Sequence, residues 1–122
     1  MQKQNLILEK SYAFGLRIIK LHAHLKKQKA ERDLIAQLLR AGTSIGANVE
    51  EAIGAQSKAD FIHKLSIAYK EARETSYWLR LLRDSGMIEN KLCTSFIKDS
   101  EEIKKILTAI LIATKNNKPI NF

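Results

Sequence analysis

The sequence predicts an all-α fold, an antiparallel up-and-down four-helix bundle in which residues 1–122 form a single domain. Four segments repeat apolar residues at intervals of three and four, the spacing that gives a helix one apolar face. The one proline, Pro119, follows all four segments, so nothing before it forbids helix. The breaks between segments are only a few residues long, which forces consecutive helices to run antiparallel. A chain of 122 residues is the size of one ordinary domain.

The first helix is predicted over about residues 5–28, where apolar residues lay a narrow seam along one face. The seam residues are Ile7, Phe14, Ile18, Leu21 and Leu25. The second helix is predicted over about residues 31–55. Its seam residues are Ile35, Leu38, Gly42, Ile45, Val49 and Ala52.

Glycine is unusual inside the second helix, because each one costs roughly 1 kcal/mol relative to alanine. We interpret Gly42 and Gly46 as places where another helix approaches closely. An alternative ends the helix at residues 42–44, but the seam continues in phase across them, which favours one helix.

The third helix is predicted to begin after Ser57, an N-cap residue followed three positions later by Asp60, and to stop at the Ser85–Gly86 pair. Its seam residues are Phe61, Leu65, Ala68, Ala72, Leu79 and Leu82. The fourth helix is predicted over about residues 89–116. Its seam residues are Leu92, Phe96, Ile103, Ile106, Ile110 and Ala113.

A second set of apolar residues accompanies the seams, although a closed monomeric bundle needs one apolar stripe per helix. The set comprises Leu6, Ala13, Leu16, Ile19, Ile62, Tyr69, Tyr77, Trp78, Ile97, Leu107, Leu111 and Ile112. This surplus indicates a surface buried between subunits, and hence a homo-oligomer. A wider core within one chain is the alternative.

The positive charge is concentrated near the start of the chain. Residues 1–29 hold seven basic residues and one acidic residue, giving +6, whereas residues 30–122 hold fourteen and twelve, giving +2. Such a field favours a polyanion, so we predict RNA or DNA as a partner. The candidate binding residues are Lys3, Lys10, Arg17, Lys20 and Lys27 on the first helix and Arg73, Arg80 and Arg83 on the third. A lysine-rich surface that only keeps the protein in solution is the alternative.

Two aromatic residues, Tyr77 and Trp78, lie among the third helix's basic residues. Such rings can stack on nucleic-acid bases, although packing against another helix is the more common role. No base-reading motif is present, so binding should depend on shape, charge and salt concentration.

A group of polar residues lies beside the seam of the second helix, and we expect it to face two glutamates of the third. The candidate structural polar core is Arg40, Ser44, Asn48, Glu51, Glu71 and Glu74. Antiparallel pairing should bring Arg40 level with Glu71 or Glu74, and Asn48 level with residues 63–64. A partly buried Arg40–glutamate pair would then fix the register of the two helices.

The same glutamates allow a competing interpretation, in which the pairs at residues 50–51 and at Glu71 and Glu74 perform acid–base catalysis as a nuclease. A hydrolase also needs a cleft and a group that stabilises the electrophile, and the sequence shows neither. We therefore predict a protein that is not an enzyme, with no catalytic residues.

The sequence predicts no metal and no cofactor. A di-metal bundle needs Glu-x-x-His on two helices, and the nearest match, Asp60 to His63, occurs once. Cys93 is the only cysteine, so no intrachain disulfide can form and a reducing compartment is favoured. No apolar stretch approaches the roughly 20 residues that span a bilayer. A cytoplasmic protein is expected, with no membrane partner.

Residues 39–51, LRAGTSIGANVEE, and residues 68–75, AYKEARET, resemble a known family. It comprises the four-helix-bundle proteins encoded in intervening sequences of bacterial 23S ribosomal RNA genes, which are related to accessory variability proteins of diversity-generating retroelements. The residues that match the family pattern are Arg40, Ala41, Ser44, Ile45, Asn48, Glu51 and Glu74. Ala52 departs from it, since the family usually has glycine there. The resemblance implies a five-membered ring of bundles with a positively charged surface. It also implies binding to nucleic acid, or to a reverse transcriptase in the retroelement relatives.

Overall fold

The computed structural model describes residues 3–117, with side chains from residue 4 onward. It contains four helices: α1 (Lys3–Lys27), α2 (Arg32–Ile53), α3 (Lys58–Asp84) and α4 (Asn90–Lys115). The predicted all-α four-helix bundle is confirmed, and the predicted helix ends agree to within two residues. The alternative break at residues 42–44 is wrong, because α2 continues through them.

The helices pack in a closed cycle, in which each contacts its neighbours along the chain and α1 also contacts α4. The diagonal pairs, α1 with α3 and α2 with α4, do not pack on each other. This is the up-and-down arrangement that short connections require. The α1–α4 seam closes the cycle and is the least closely packed of the four.

The predicted seams form most of the core. All four helices contribute fully buried side chains to it, among them Phe14, Leu38, Leu65 and Ile103. The rings of Phe14 and Phe96 pack edge to face across the α1–α4 seam, with their centroids 6.3 Å apart.

The surplus apolar residues divide between core and surface. Leu107 is fully buried, and several others pack against the core while remaining partly exposed. The large ones that stay exposed are Leu16, Ile19, Tyr77 and Ile112. The core is therefore wider than one stripe per helix, but it does not absorb the whole surplus.

Local signals in the sequence explain how α3 begins and ends. The Ser57 side chain accepts a hydrogen bond of 3.0 Å from the backbone N–H of Asp60, as an N-cap should. After the helix, Gly86 adopts a φ of +82°, a left-handed conformation that glycine enters without steric cost. The backbone N–H of Met87 then donates to the carbonyl of Leu82 over 2.8 Å.

The small residues of α2 lie where α1 comes close. A Cβ atom added to Gly42 would lie 2.8 Å from Ile18 Cγ1, and one added to Gly46 would lie 3.4 Å from the backbone oxygen of Ser11. The glycines therefore set the short distance between α1 and α2, which is the role that the sequence predicts for them.

Candidate nucleic-acid interface

The candidate basic residues of α1 fall into two groups. Lys10 forms an ion pair with Glu102, and Arg17 forms one with Asp99, so both are held by carboxylates of α4. Lys20 and Lys27 are exposed and form no ion pair with any described residue. The side chain of Lys3 lies outside the described residues.

Arg17 is the most tightly held of these cations. Besides Asp99, it donates a hydrogen bond of 3.1 Å to the hydroxyl of Ser95. Its guanidinium carbon also lies 3.9 Å from the centroid of the Phe96 ring, which is cation–π geometry. Arg17 therefore helps to close the α1–α4 seam and offers little free charge to a ligand.

The candidate arginines of α3 differ in the same way. Arg73 and Arg80 are exposed and have no ionic partner within residues 3–117, and Lys70 on the same helix is equally free. Arg83 forms an ion pair of 2.9 Å with its neighbour Asp84. Between residues 70 and 84 of α3, the free positive charge thus comes from Lys70, Arg73 and Arg80.

Tyr77 and Trp78 are adjacent in sequence but point to different environments. The Tyr77 side chain is 46% exposed, whereas Trp78 is half-buried against the core. The indole Nε1 of Trp78 donates a hydrogen bond of 3.1 Å to Glu74 Oε1. Packing is therefore the role of Trp78, and Tyr77 is the ring that solvent reaches.

The polar residues between α2 and α3 meet at Arg40. Its guanidinium donates from Nη1 to Glu71 Oε2 over 2.8 Å and from Nη2 to Glu74 Oε1 over 2.5 Å. The expected partial burial holds for the two glutamates, whose side chains are 13% and 35% exposed. It does not hold for Arg40, which is 52% exposed, so the group ties the helices together at the surface.

The remaining polar residues of α2 make other contacts. The Ser44 hydroxyl donates to the carbonyl of Arg40, and the Asn48 amide donates to the carbonyl of Ser44, so both bonds stay within α2. Glu51 instead forms an ion pair of 2.9 Å with Lys64 of α3. Between α2 and α3, the polar side-chain contacts are therefore made by Arg40 and Glu51. Asn48 takes no part in them.

These contacts shift the titration of Glu74. The hydrogen bond from Trp78, followed by that from Arg40, lowers the pKa of the Glu74 carboxyl. The two glutamates in turn raise the pKa of Arg40. Contacts that favour the ionised forms of both the carboxylate and the guanidinium are typical of a structural ion pair.

We expect acid to weaken this contact between α2 and α3. Because the folded pKa of Glu74 is lowered, its contribution is complete above the unfolded value of about 4.3 and is lost as the pH falls through the folded value. An exposed ion pair contributes up to about 1 kcal/mol. Urea unfolding between about pH 6 and about pH 3 should show Glu74→Gln with a shallower loss of stability than the unaltered protein.

Two further variants make this measurement specific. Arg40→Met should flatten the acid profile less than Glu74→Gln, because the bond from Trp78 remains. Glu9→Gln should leave the profile unchanged, since Glu9 is exposed and has no ion-pair partner among the described residues. Equal profiles for all the variants and the unaltered protein would contradict the role given to Glu74.

Some contacting residues carry no signal in the sequence. Asp99 and Glu102 of α4 become partners of the α1 cations only through the closure of the bundle. The hydroxyls of Ser76 and Ser100 form a buried hydrogen bond of 2.6 Å between α3 and α4. In each case, spacing within one helix does not reveal which residue of another helix lies opposite.

Cys93 is buried, and burial raises the pKa of its thiol. Its Sγ lies 3.1 Å from the carbonyl oxygen of Leu79.

Over residues 3–117, no group of three or more histidine, cysteine or acidic side chains is placed to hold a metal ion. None of the four helices combines the length and apolar character needed to cross a bilayer.

Comparison with known proteins identifies a family and a solved structure that this chain resembles. A family model described as 23S rRNA-intervening sequence protein matches residues 3–109. The fold is also that of a crystal structure of a protein of unknown function from the S23 ribosomal protein family of Bacteroides thetaiotaomicron, with a TM-score of 0.87. The two chains are 48% identical over 90% of this chain and 98% of the other. The sequence matches no curated protein. On the family match and the shared bundle, the chain belongs to the 23S rRNA-intervening sequence protein family.

Proposed function

We propose that this protein is a non-enzymatic, homo-oligomeric bundle that binds nucleic acid, structured RNA or DNA, through a basic surface. The observation that carries the proposal is the set of exposed cations with no ionic partner among the described residues. The set includes Lys20 and Lys27 on α1 and Lys70, Arg73 and Arg80 on α3, two helices at diagonal corners of the bundle. Free cations release the counterions of a polyanion when they bind it, which is the main source of sequence-independent affinity.

The homo-oligomer is supported by an apolar face on α1 beside α2. Three large side chains project from it, Tyr12 at 67%, Leu16 at 46% and Ile19 at 50% exposure. A groove of about 440 Å³ runs from them to the small residues of α2, Gly46 and Ala47. Clustered exposed apolar side chains mark interaction sites, and the occupant we propose is a second copy of the chain. By the family resemblance, the assembly is a five-membered ring.

Assembly and binding support each other in this proposal. Every subunit of a ring presents the same free cations, so one polyanion can contact several subunits at once. Such multivalent contact raises affinity without any new type of interaction.

The alternative is a protein-interaction scaffold with no direct role in binding nucleic acid, and the apolar face of α1 favours it equally. A reverse transcriptase, the partner implied by the retroelement relatives, would be a protein partner of such a scaffold. The two functions differ in their salt dependence, because an apolar contact is far less sensitive to salt than a phosphate contact.

The proposed function is tested by removing free cations from both α1 and α3. Replacing Lys20, Arg73 and Arg80 with glutamine should weaken binding to a structured RNA about tenfold or more at low salt. The slope of log affinity against log salt concentration should fall by about 0.9 for each phosphate contact that is lost. Gel shift at several salt concentrations measures both quantities.

A matched control removes the same charge from α4. Its three substitutions replace Lys91, Lys98 and Lys105, which are also exposed, with glutamine. This control should bind almost as well as the unaltered protein. Equal losses in the two triple variants would show that only total charge matters, and an unaltered protein that binds no nucleic acid would leave the scaffold function.

A further inference from the structure

The outward face of α3 combines one exposed aromatic ring with three free cations. Lys70, Arg73, Tyr77 and Arg80 are spaced by three, four and three residues, which places them on one side of the helix. At 1.5 Å per residue they cover about 15 Å. All four are exposed, and the cations lie on both sides of the ring along the helix axis.

The Tyr77 ring is held in place from behind. It packs edge to face on Trp78, with the ring centroids 5.1 Å apart and the planes at 69°. Trp78 is in turn fixed by its hydrogen bond of 3.1 Å to Glu74 Oε1, the oxygen that also accepts from Arg40. A series of contacts from α2 therefore orients an aromatic ring that projects into solvent.

The electrostatic setting of the ring is positive. Glu74, three residues before Tyr77, is already paired with Arg40, and Asp84 is paired with Arg83. The guanidinium carbon of Arg80 lies over the Tyr77 ring, 5.9 Å from its centroid and within cation–π range.

We propose that this face of α3 binds unpaired bases, with one base stacked on Tyr77 and the neighbouring phosphates held by Arg73 and Arg80. The inference rests on the proposed function and names the part of the nucleic acid that is bound, its unpaired segments. An aromatic ring flanked by cations is the arrangement with which proteins bind single strands without reading sequence. A base inside a duplex is already stacked on its neighbours, so it does not offer its face to a ring on a helix surface.

The test uses Trp78, the only tryptophan in the chain, as a reporter beside the site. Titration with a single-stranded oligonucleotide should change the Trp78 fluorescence, and the duplex of the same sequence should change it much less. Tyr77→Ala should weaken binding of the single strand between about 5-fold and 150-fold, the range for loss of one stacked base. Its binding to the duplex should stay within about twofold of the unaltered protein.

Two variants separate stacking from loss of surface area. Tyr77→Phe keeps the ring and should bind the single strand as the unaltered protein does. Leu81→Ala shortens an apolar side chain of similar exposure on the same helix, 38%, and should have no effect. RNA and DNA oligonucleotides tested in parallel show which sugar the face prefers, since both offer bases and phosphates.

Different results would overturn the stacking site and the proposed function. If Tyr77→Ala weakens single-strand and duplex binding equally, or weakens neither, the stacking site is overturned while salt-dependent binding retains the proposed function. If the unaltered protein binds neither nucleic acid at low salt, both proposals fall.

Discussion

Replacing Gly42 with valine is expected to lower the free energy of unfolding by about 3 kcal/mol, near the upper end of the usual cost of overfilling a core. A Cβ atom at this position would lie 2.8 Å from Ile18 Cγ1, 2.9 Å from Cγ2 and 3.2 Å from Cβ. Ile18 is fully buried and branched at Cβ, so it has no free space into which to turn. The clash can be relieved only if α1 moves away from α2. Urea unfolding followed by circular dichroism measures the loss.

Gly15 supplies the control, because it also lies inside a helix but has nothing within 4 Å of an added Cβ. Gly15→Ala should raise the free energy of unfolding by about 0.5 to 1 kcal/mol, the usual gain from removing glycine from a helix interior. Opposite signs for the two variants would show that helix spacing requires Gly42. A Gly42→Val protein as stable as the unaltered one would refute that requirement.

Much of this fold could be predicted from the sequence because each helix carries its own signals. Apolar periodicity located the four helices, and the Ser57 cap and Gly86 located the ends of α3. The continuation of the seam across Gly42 correctly predicted one uninterrupted α2. These features depend on residues a few positions apart, which is the range over which helix geometry is fixed.

The candidate site was less predictable, because it depends on which side chains of different helices lie opposite one another. Lys10 and Arg17 are candidate binding residues by sequence, yet carboxylates of α4 neutralise both. Tyr77 and Trp78 differ by one residue, or about 100° around the helix, and only Trp78 packs against the core. Arg40 faces the expected glutamates, but the sequence did not show that solvent reaches it.

The largest expected effect on assembly comes from the apolar face of α1. Replacing Leu16 and Ile19 together with glutamate should weaken self-association about 100-fold or more, because it places two charges at the centre of the proposed interface. Both side chains are about half exposed in the single chain, at 46% and 50%, so the bundle itself should remain folded. Sedimentation velocity should then show monomers at concentrations where the unaltered protein is assembled, with an unchanged circular dichroism spectrum.

The matched control places two glutamates on apolar residues outside that face, Leu81 and Ile112, which are 38% and 55% exposed. This variant should assemble normally, which distinguishes a specific interface from a general effect of added negative charge. If the Leu16 and Ile19 variant stays assembled, another surface joins the subunits.

If the Leu16 and Ile19 variant dissociates, its affinity for a long RNA should also fall although Lys20, Lys27, Arg73 and Arg80 are all still present. A monomer offers a polyanion one set of free cations where the assembly offers several, so this second loss would link assembly of the bundle to nucleic-acid binding.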